Sequence, residues 1–200
     1  MKTYIKTVFA VSISAILLSS SAYAAEIPAP KIKTINAEQV SGFRKVSVQG
    51  NVEVTLVQRS KAGVSYTADN VGSAKVFQKG DLLQISSTSS QPAKLTIYVN
   101  DLFRIEGSEN AIIRTQGELN AAYLQIFLKQ NAKAEIKSHS QGLYTVISDD
   151  ADLSLSGATD EHTLIMDKTP KLTMNKFAAL KTTTSTGVVV AALEKNAKLK

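Results

Sequence analysis

The chain contains no cysteine and no tryptophan, and its 200 residues include only two histidines, His139 and His162. Without cysteine there is no disulfide framework, thiolate zinc site, iron–sulfur cluster, cysteine nucleophile or lipid-modified N-terminal cysteine. Two histidines leave little for a histidine-based metal site, so we expect no cofactor. The chain is nevertheless 44% hydrophobic, and its length is enough to bury the core of one domain.

Acidic residues are absent from the first 24 positions. Lys2 and Lys6 make this end basic, residues 8–18 form an apolar run broken by two serines, and residues 22–24 read Ala-Tyr-Ala. This order is typical of a secretory signal peptide, and the apolar run is much shorter than the roughly 20 residues that span a bilayer. The sequence therefore predicts a signal peptide over 1–24, an exposed leader over 25–39 and a single domain over 40–200. We expect export to the periplasm or cell surface, with no membrane span after cleavage.

A concentrated patch of charge of one sign is also missing. Removing the signal peptide takes away two lysines and leaves 21 basic residues against 17 acidic ones. The basic residues are scattered, as at Lys129, Lys133 and Lys137, whereas a nucleic-acid surface needs them concentrated. We expect no nucleic-acid partner.

Strict alternation of apolar and polar residues begins near Phe43. The apolar positions are Val46, Val48, Val52, Val54 and Leu56, and the pair Gly50-Asn51 interrupts them as a turn or bulge. A period of two is typical of half-buried β-strands, and no segment shows a helical stripe. The sequence predicts an all-β protein.

Short strand-like runs in the second half recur about every ten residues and pair into a repeat of about twenty. The equivalent apolar positions are Leu124, Tyr144 and Leu164; Ile126, Val146 and Met166; Ala134, Leu153 and Leu172; and Ile136, Leu155 and Met174. Repeats of this kind indicate a solenoid in which equivalent residues stack. The pattern predicts a right-handed parallel β-helix of about 20 residues per rung, with an N-terminal β-strand region packed on it or capping it. The alternative is an antiparallel sandwich with evenly spaced strands.

If those columns face inward, a set of apolar side chains must face outward. Its members are Tyr123, Phe127, Leu143, Ile147 and Ile165. A contiguous apolar stripe on a surface usually marks a contact. We therefore predict that this stripe is covered, by the N-terminal half or by a second copy of the chain in a homo-oligomer, or that it contacts a partner.

Three segments resemble a known family. Residues 41–56 (SGFRKVSVQGNVEVTL), 79–85 (KGDLLQI) and 155–158 (LSGA) are similar to the head GIN domain of putative auto-transporter adhesins. The resemblance covers nearly all of the chain after residue 40. It implies an exported right-handed parallel β-helix, mostly from bacteria with an outer membrane, and it brings no catalytic residues.

The strongest candidate for a site with chemistry is an acidic cluster, Asp149, Asp150 and Asp152, with Asp160 and Glu161 one strand later. Clustered carboxylates suit Ca²⁺, but Asp also suits turns, and the spacing matches no calcium loop. We expect no metal site and no catalytic residue.

The sequence favours an exported, non-enzymatic surface or periplasmic module that binds a glycan or an envelope protein in the manner of an adhesin. Two alternatives stay open: a polysaccharide-active β-helix lyase or hydrolase, and a structural envelope protein that associates with itself. A cleft with converging carboxylates would indicate the enzyme, and a flat face without them would indicate the binding module.

Overall fold

A computed structural model of the chain describes residues 40, 42–167 and 169–186, and within these residues every regular element is a β-strand. The predicted signal peptide and leader lie outside the described residues. The strands are β1 (Lys45–Gly50), β2 (Val52–Gln58), β3 (Gly63–Tyr66), β4 (Lys75–Lys79), β5 (Leu82–Ser87), β6 (Ala93–Val99), β7 (Arg104–Ser108), β8 (Ile112–Thr115), β9 (Leu119–Leu128), β10 (Lys133–Ile147), β11 (Asp152–Met166) and β12 (Lys171–Thr186).

All twelve strands belong to one curled, mixed sheet that forms a half-barrel. A first ladder runs in the order β4-β5-β1-β7-β9 and continues into the C-terminal parts of β10, β11 and β12. A second ladder runs β3-β6-β2-β8 and continues into the N-terminal parts of the same three strands. Only the outermost pairs, β3 with β6 and β4 with β5, are antiparallel.

The long strands β10 and β11 bend from one ladder into the other. Residues 133–135 of β10 pair with β8, whereas residues 138–147 pair with β9. The pairs of short strands expected from the sequence therefore merge into continuous strands of 15 residues. This bend is what curls the sheet and gives it one shared core.

The N-terminal strands extend the same sheet, so the expectation that they would pack on it or cap it is wrong. Val46 of β1 pairs with Ile105 of β7, and Val54 of β2 pairs with Ile113 of β8. The alternating valines enter the core as predicted, with Val46 fully buried. Strand β1 lies between β5 and β7, so the stacking departs from chain order, and a right-handed parallel β-helix is not confirmed.

Two of the columns predicted for the first ladder are wrong by one residue. Leu143 pairs with both Leu124 and His162, so equivalent residues of β9, β10 and β11 lie 19 apart rather than 20. The inward columns are Leu124, Leu143 and His162; Ile126, Thr145 and Leu164; and Leu128, Ile147 and Met166. Tyr144 and Val146, predicted to face inward, instead lie half-buried on the outer face.

The error has a local cause, because residues 143–147 read Leu-Tyr-Thr-Val-Ile and are apolar in both phases of a strand. The column in the second ladder is confirmed: Ala134 pairs with Leu153, and Leu153 pairs with Leu172. Ile136 pairs with Leu155 as predicted, whereas the next step of that column falls where the β11–β12 register shifts.

Candidate functional site

A groove of about 540 Å³ lies on the outer face of the first ladder, across strands β1, β7, β9 and β10. Two rows of outward side chains form its centre. Arg104, Gln125 and Tyr144 are register partners on three neighbouring strands, and so are Glu106, Phe127 and Val146. Because side chains two apart on a strand share a face, the two rows lie side by side.

Arg104 is held by three neighbours. Its Nε donates to Oε1 of Gln125 at 2.8 Å, and its Nη1 donates to Oε1 of Glu106 at 3.3 Å. The guanidinium carbon lies 4.8 Å from the centroid of the Phe127 ring, which is a cation–π contact. The side chain is still 32% exposed. Arg104 is thus positioned by the sheet itself and remains accessible from the groove.

An aromatic pair continues this cluster. The ring centroids of Phe127 and Tyr144 lie 5.8 Å apart with the rings tilted by 50°. The two residues are diagonal neighbours on adjacent strands, since Phe127 pairs with Val146, two residues after Tyr144. Arg104, Phe127 and Tyr144 therefore form a continuous, half-exposed surface, which we name the Arg104 cluster.

One rim of the groove follows the corners at the ends of the strands. Glu109, Gln130 and Asp149 occupy successive corners with φ between 57° and 59°. Each side chain serves the next corner: Asp149 Oδ2 accepts the Gln130 backbone N–H at 2.8 Å, and Gln130 Oε1 accepts the Glu109 backbone N–H at 2.8 Å. Gln49 Nε2 donates to Glu109 Oε1 at 2.6 Å. The rim is thus a ladder of side-chain hydrogen bonds.

This ladder explains the acidic cluster singled out in the sequence. The Asp149 carboxylate accepts the Gln130 amide, and the Asp149 carbonyl accepts the Thr169 hydroxyl at 2.6 Å. Asp150 is an exposed corner residue, whereas Asp152 begins β11. In the part of the chain that the structure describes, no group of three or more acidic or histidine side chains is arranged to hold a metal ion.

The predicted outward stripe is divided by the structure between the two faces of the sheet. Leu143 and Ile147 are 2% and 1% exposed and belong to the core, so their outward placement is wrong. Tyr123, 62% exposed, and Phe127 face outward as predicted. Ile165 lies in the outward row beside Val146 but is buried. Of the five, only Phe127 lines the groove.

Sequence reasoning missed Arg104 and Gln125 as members of the site, and it placed Tyr144 in the core. The available signal was the interval of 19 residues between Gln125 and Tyr144, which mirrors the interval between Leu124 and Leu143. Reading the repeat at 19 in both ladders brings these polar and aromatic residues onto one face.

A second unusual polar residue lies away from the groove, inside the core. His162 is 1% exposed; its Nε2 lies 3.1 Å from Thr145 Oγ1, and its ring packs edge-on against Phe177. Within the described residues the buried Nδ1 has no hydrogen-bond partner. Burial lowers the pKa of His162 below its ordinary value, so the ring is neutral near pH 7.

These features define an all-β ladder domain with an open, mixed polar and aromatic groove on its outer face. Residues 42–187 match the family model described as "Putative auto-transporter adhesin, head GIN domain". The chain belongs to this family, which confirms the resemblance noted in its sequence.

Solved structures share the fold at low identity. A putative adhesin from Bacteroides fragilis has a TM-score of 0.64 and 16% identity, over 76% of this chain and 74% of that one. A putative lipid binding protein from Parabacteroides distasonis has 0.55 and 9%, over 74% and 76%. A putative adhesin from the same species has 0.53 and 9%, over 74% and 75%. No curated protein sequence matches the chain.

Among the described residues, no helix is long and apolar enough to cross a membrane.

Proposed function

We propose that the chain is an exported, non-enzymatic module of the periplasm or cell surface that binds a partner or glycan, as an adhesin does, through the outer-face groove. The observation that carries this proposal is the Arg104 cluster. A guanidinium fixed by Gln125, Glu106 and the Phe127 ring on an exposed surface is preorganised for a ligand. Membership of an adhesin family supports the same conclusion.

The proposal includes the finer statements that fit this role. Residues 1–24 act as a cleaved signal peptide, 25–39 as an exposed leader and 40–200 as one domain. The parallel ladders are the turns of a right-handed β-helix of 19 to 20 residues per rung. The in-register pairing of β9, β10 and β11 supports this assignment.

The polysaccharide-active enzyme is less well supported. The groove contains two carboxylates, but Glu106 accepts a hydrogen bond from Arg104 and Glu109 accepts one from Gln49. Glycoside hydrolysis needs one carboxyl group that delivers a proton and a second that acts as nucleophile or base. Carboxylates already engaged as acceptors suit positioning better than proton transfer.

A retention experiment tests the proposal. The secreted chain is immobilised and exposed to solubilised outer-membrane and polysaccharide fractions, alongside Arg104→Ala and Arg114→Ala. Arg114 is the matched control, because it is an outward arginine of the second ladder, 52% exposed, with Glu53 at 3.9 Å. We expect retention by the wild type and by Arg114→Ala, and its loss with Arg104→Ala. Equal retention by all three, or release of shortened polysaccharide, contradicts the proposal.

A further inference from the structure

We infer that the groove takes a neutral oligosaccharide, bound with its sugar faces on Phe127 and Tyr144; this inference rests on the proposed function and names its ligand class. The first argument is charge. The lining carries two basic side chains, Arg104 and Lys129, and two acidic ones, Glu106 and Glu109. Arg104 is paired with Glu106. A balanced lining offers no attraction to an anionic polymer, which a basic stripe would supply.

The second argument is the order of polar and apolar groups across the groove. Phe127 and Val146 lie at its centre, whereas the amides of Gln49 and Gln130 lie on the rim. Sugars have apolar C–H faces surrounded by hydroxyl groups that both donate and accept. An aromatic centre with an amide rim matches this arrangement, since aromatic rings supply contact area and amides supply both hydrogen-bonding roles.

The third argument concerns shape. The groove crosses β1, β7, β9 and β10, and four neighbouring strands span roughly 15 Å at the usual strand separation. This length suits a short stretch of a sugar chain better than a single ring. An acyl chain would instead need an enclosed apolar cavity, whereas this groove is open and its rim is polar.

The cluster also explains why Arg104 is held in place. Its Nε is committed to Gln125 and its Nη1 to Glu106, which leaves the second terminal nitrogen, Nη2, to donate to a ligand hydroxyl. Stacking on Phe127 keeps the guanidinium plane fixed. The arginine is therefore a positioned donor for a neutral acceptor as well as one wall of the platform.

Calorimetry with defined sugars tests the inference. The probes are neutral hexasaccharides of glucose, mannose, xylose and galactose, with oligogalacturonate as the anionic comparator and phosphatidylcholine vesicles as the lipid comparator. We expect at least one neutral hexasaccharide to bind, with an affinity that changes less than about twofold between low and high salt, since an uncharged ligand is not screened. The matching intact polysaccharide, added as competitor, shows whether internal units are recognised.

Three variants locate the site. Phe127→Leu keeps apolar bulk but removes the ring, and Tyr144→Leu does the same on the next strand; each should weaken binding about tenfold. Arg114→Ala should bind as the wild type does. Thermal unfolding of each variant shows that the sheet is intact. Because leucine preserves packing on the outer face, a loss of binding with an unchanged unfolding temperature assigns the effect to the lost ring.

Several outcomes would overturn the inference: no neutral hexasaccharide binds, only oligogalacturonate or vesicles bind, or Phe127→Leu and Tyr144→Leu bind sugar unchanged. Its failure is distinguishable from failure of the proposed function. If envelope fractions are still retained in an Arg104-dependent manner while the neutral sugars fail, the binding module stands and the ligand class is wrong.

Discussion

Single glycines determine whether the strands can pass one another at the corners. Gly157 has φ of 101°, and a Cβ atom there would overlap the carbonyl oxygen of Ser138 on the neighbouring strand. Gly117 has a similar φ of 84°, but nothing lies within 4 Å of the position its Cβ would take. The two positions therefore separate backbone strain from steric overlap.

We expect Gly157→Ala to destabilise the fold by about 3 kcal/mol or more, because strain and overlap add. Gly117→Ala should cost only the left-handed conformation, about 1–2 kcal/mol. Chemical denaturation of both variants measures the difference. Equal midpoints would mean that the neighbouring strand shifts freely to accept the methyl group.

At the scale of the strand, β10 shows how a short apolar run acquires its orientation. Leu143, Thr145 and Ile147 are all buried, whereas Tyr144 and Val146 reach the outer face. The strand thus buries a threonine in preference to a valine. The reason lies in its neighbours, since Leu143 and Ile147 complete columns with Leu124 and Leu128, and the Thr145 hydroxyl meets His162.

Thr145→Asp should therefore be severely destabilising, by about 3 kcal/mol or more, because it buries a charge between two core columns. Val146→Asp, one residue further along, should cost about 1 kcal/mol, because its side chain lies on the half-exposed outer face. Denaturant midpoints of the two variants provide the comparison. The opposite ranking would restore the 20-residue register that the sequence suggested.

This strand also shows how far sequence reasoning reaches. Alternation at Val46, Val48 and Val54 was sufficient to predict buried positions, because polar residues lie between them. Residues 143–147 lack such polar contrast, so both phases are consistent with their sequence. The Arg104 cluster was beyond reach for the same reason, since it exists only once Gln125 and Tyr144 share a face.

For the whole molecule, one buried imidazole links stability to pH. Burial lowers the folded-state pKa of His162 below its ordinary value of 6.5. Between the two values the unfolded chain binds a proton that the folded chain does not, so acid favours unfolding.

We expect the free energy of unfolding to be insensitive to His162 above pH 6.5 and to fall as the pH drops below that value. Replacing His162 with leucine, the residue found at the equivalent positions of β9 and β10, should flatten this part of the profile. His139→Gln is the control, because His139 is exposed. Denaturation at a series of pH values measures the slopes. A slope that persists in His162→Leu would contradict the assignment.

The sequence by itself determined the all-β class, the family and the periodic pairing of the second half, because these depend on composition and on local alternation. Only the tertiary structure decided that the N-terminal strands join the same sheet, that the repeat is 19 residues between β9, β10 and β11, and that Arg104, Phe127 and Tyr144 meet in one groove. The physical reason is register. A strand's own sequence sets its period of two, but the choice between its two faces is made by the neighbouring strands and by the corners that join them.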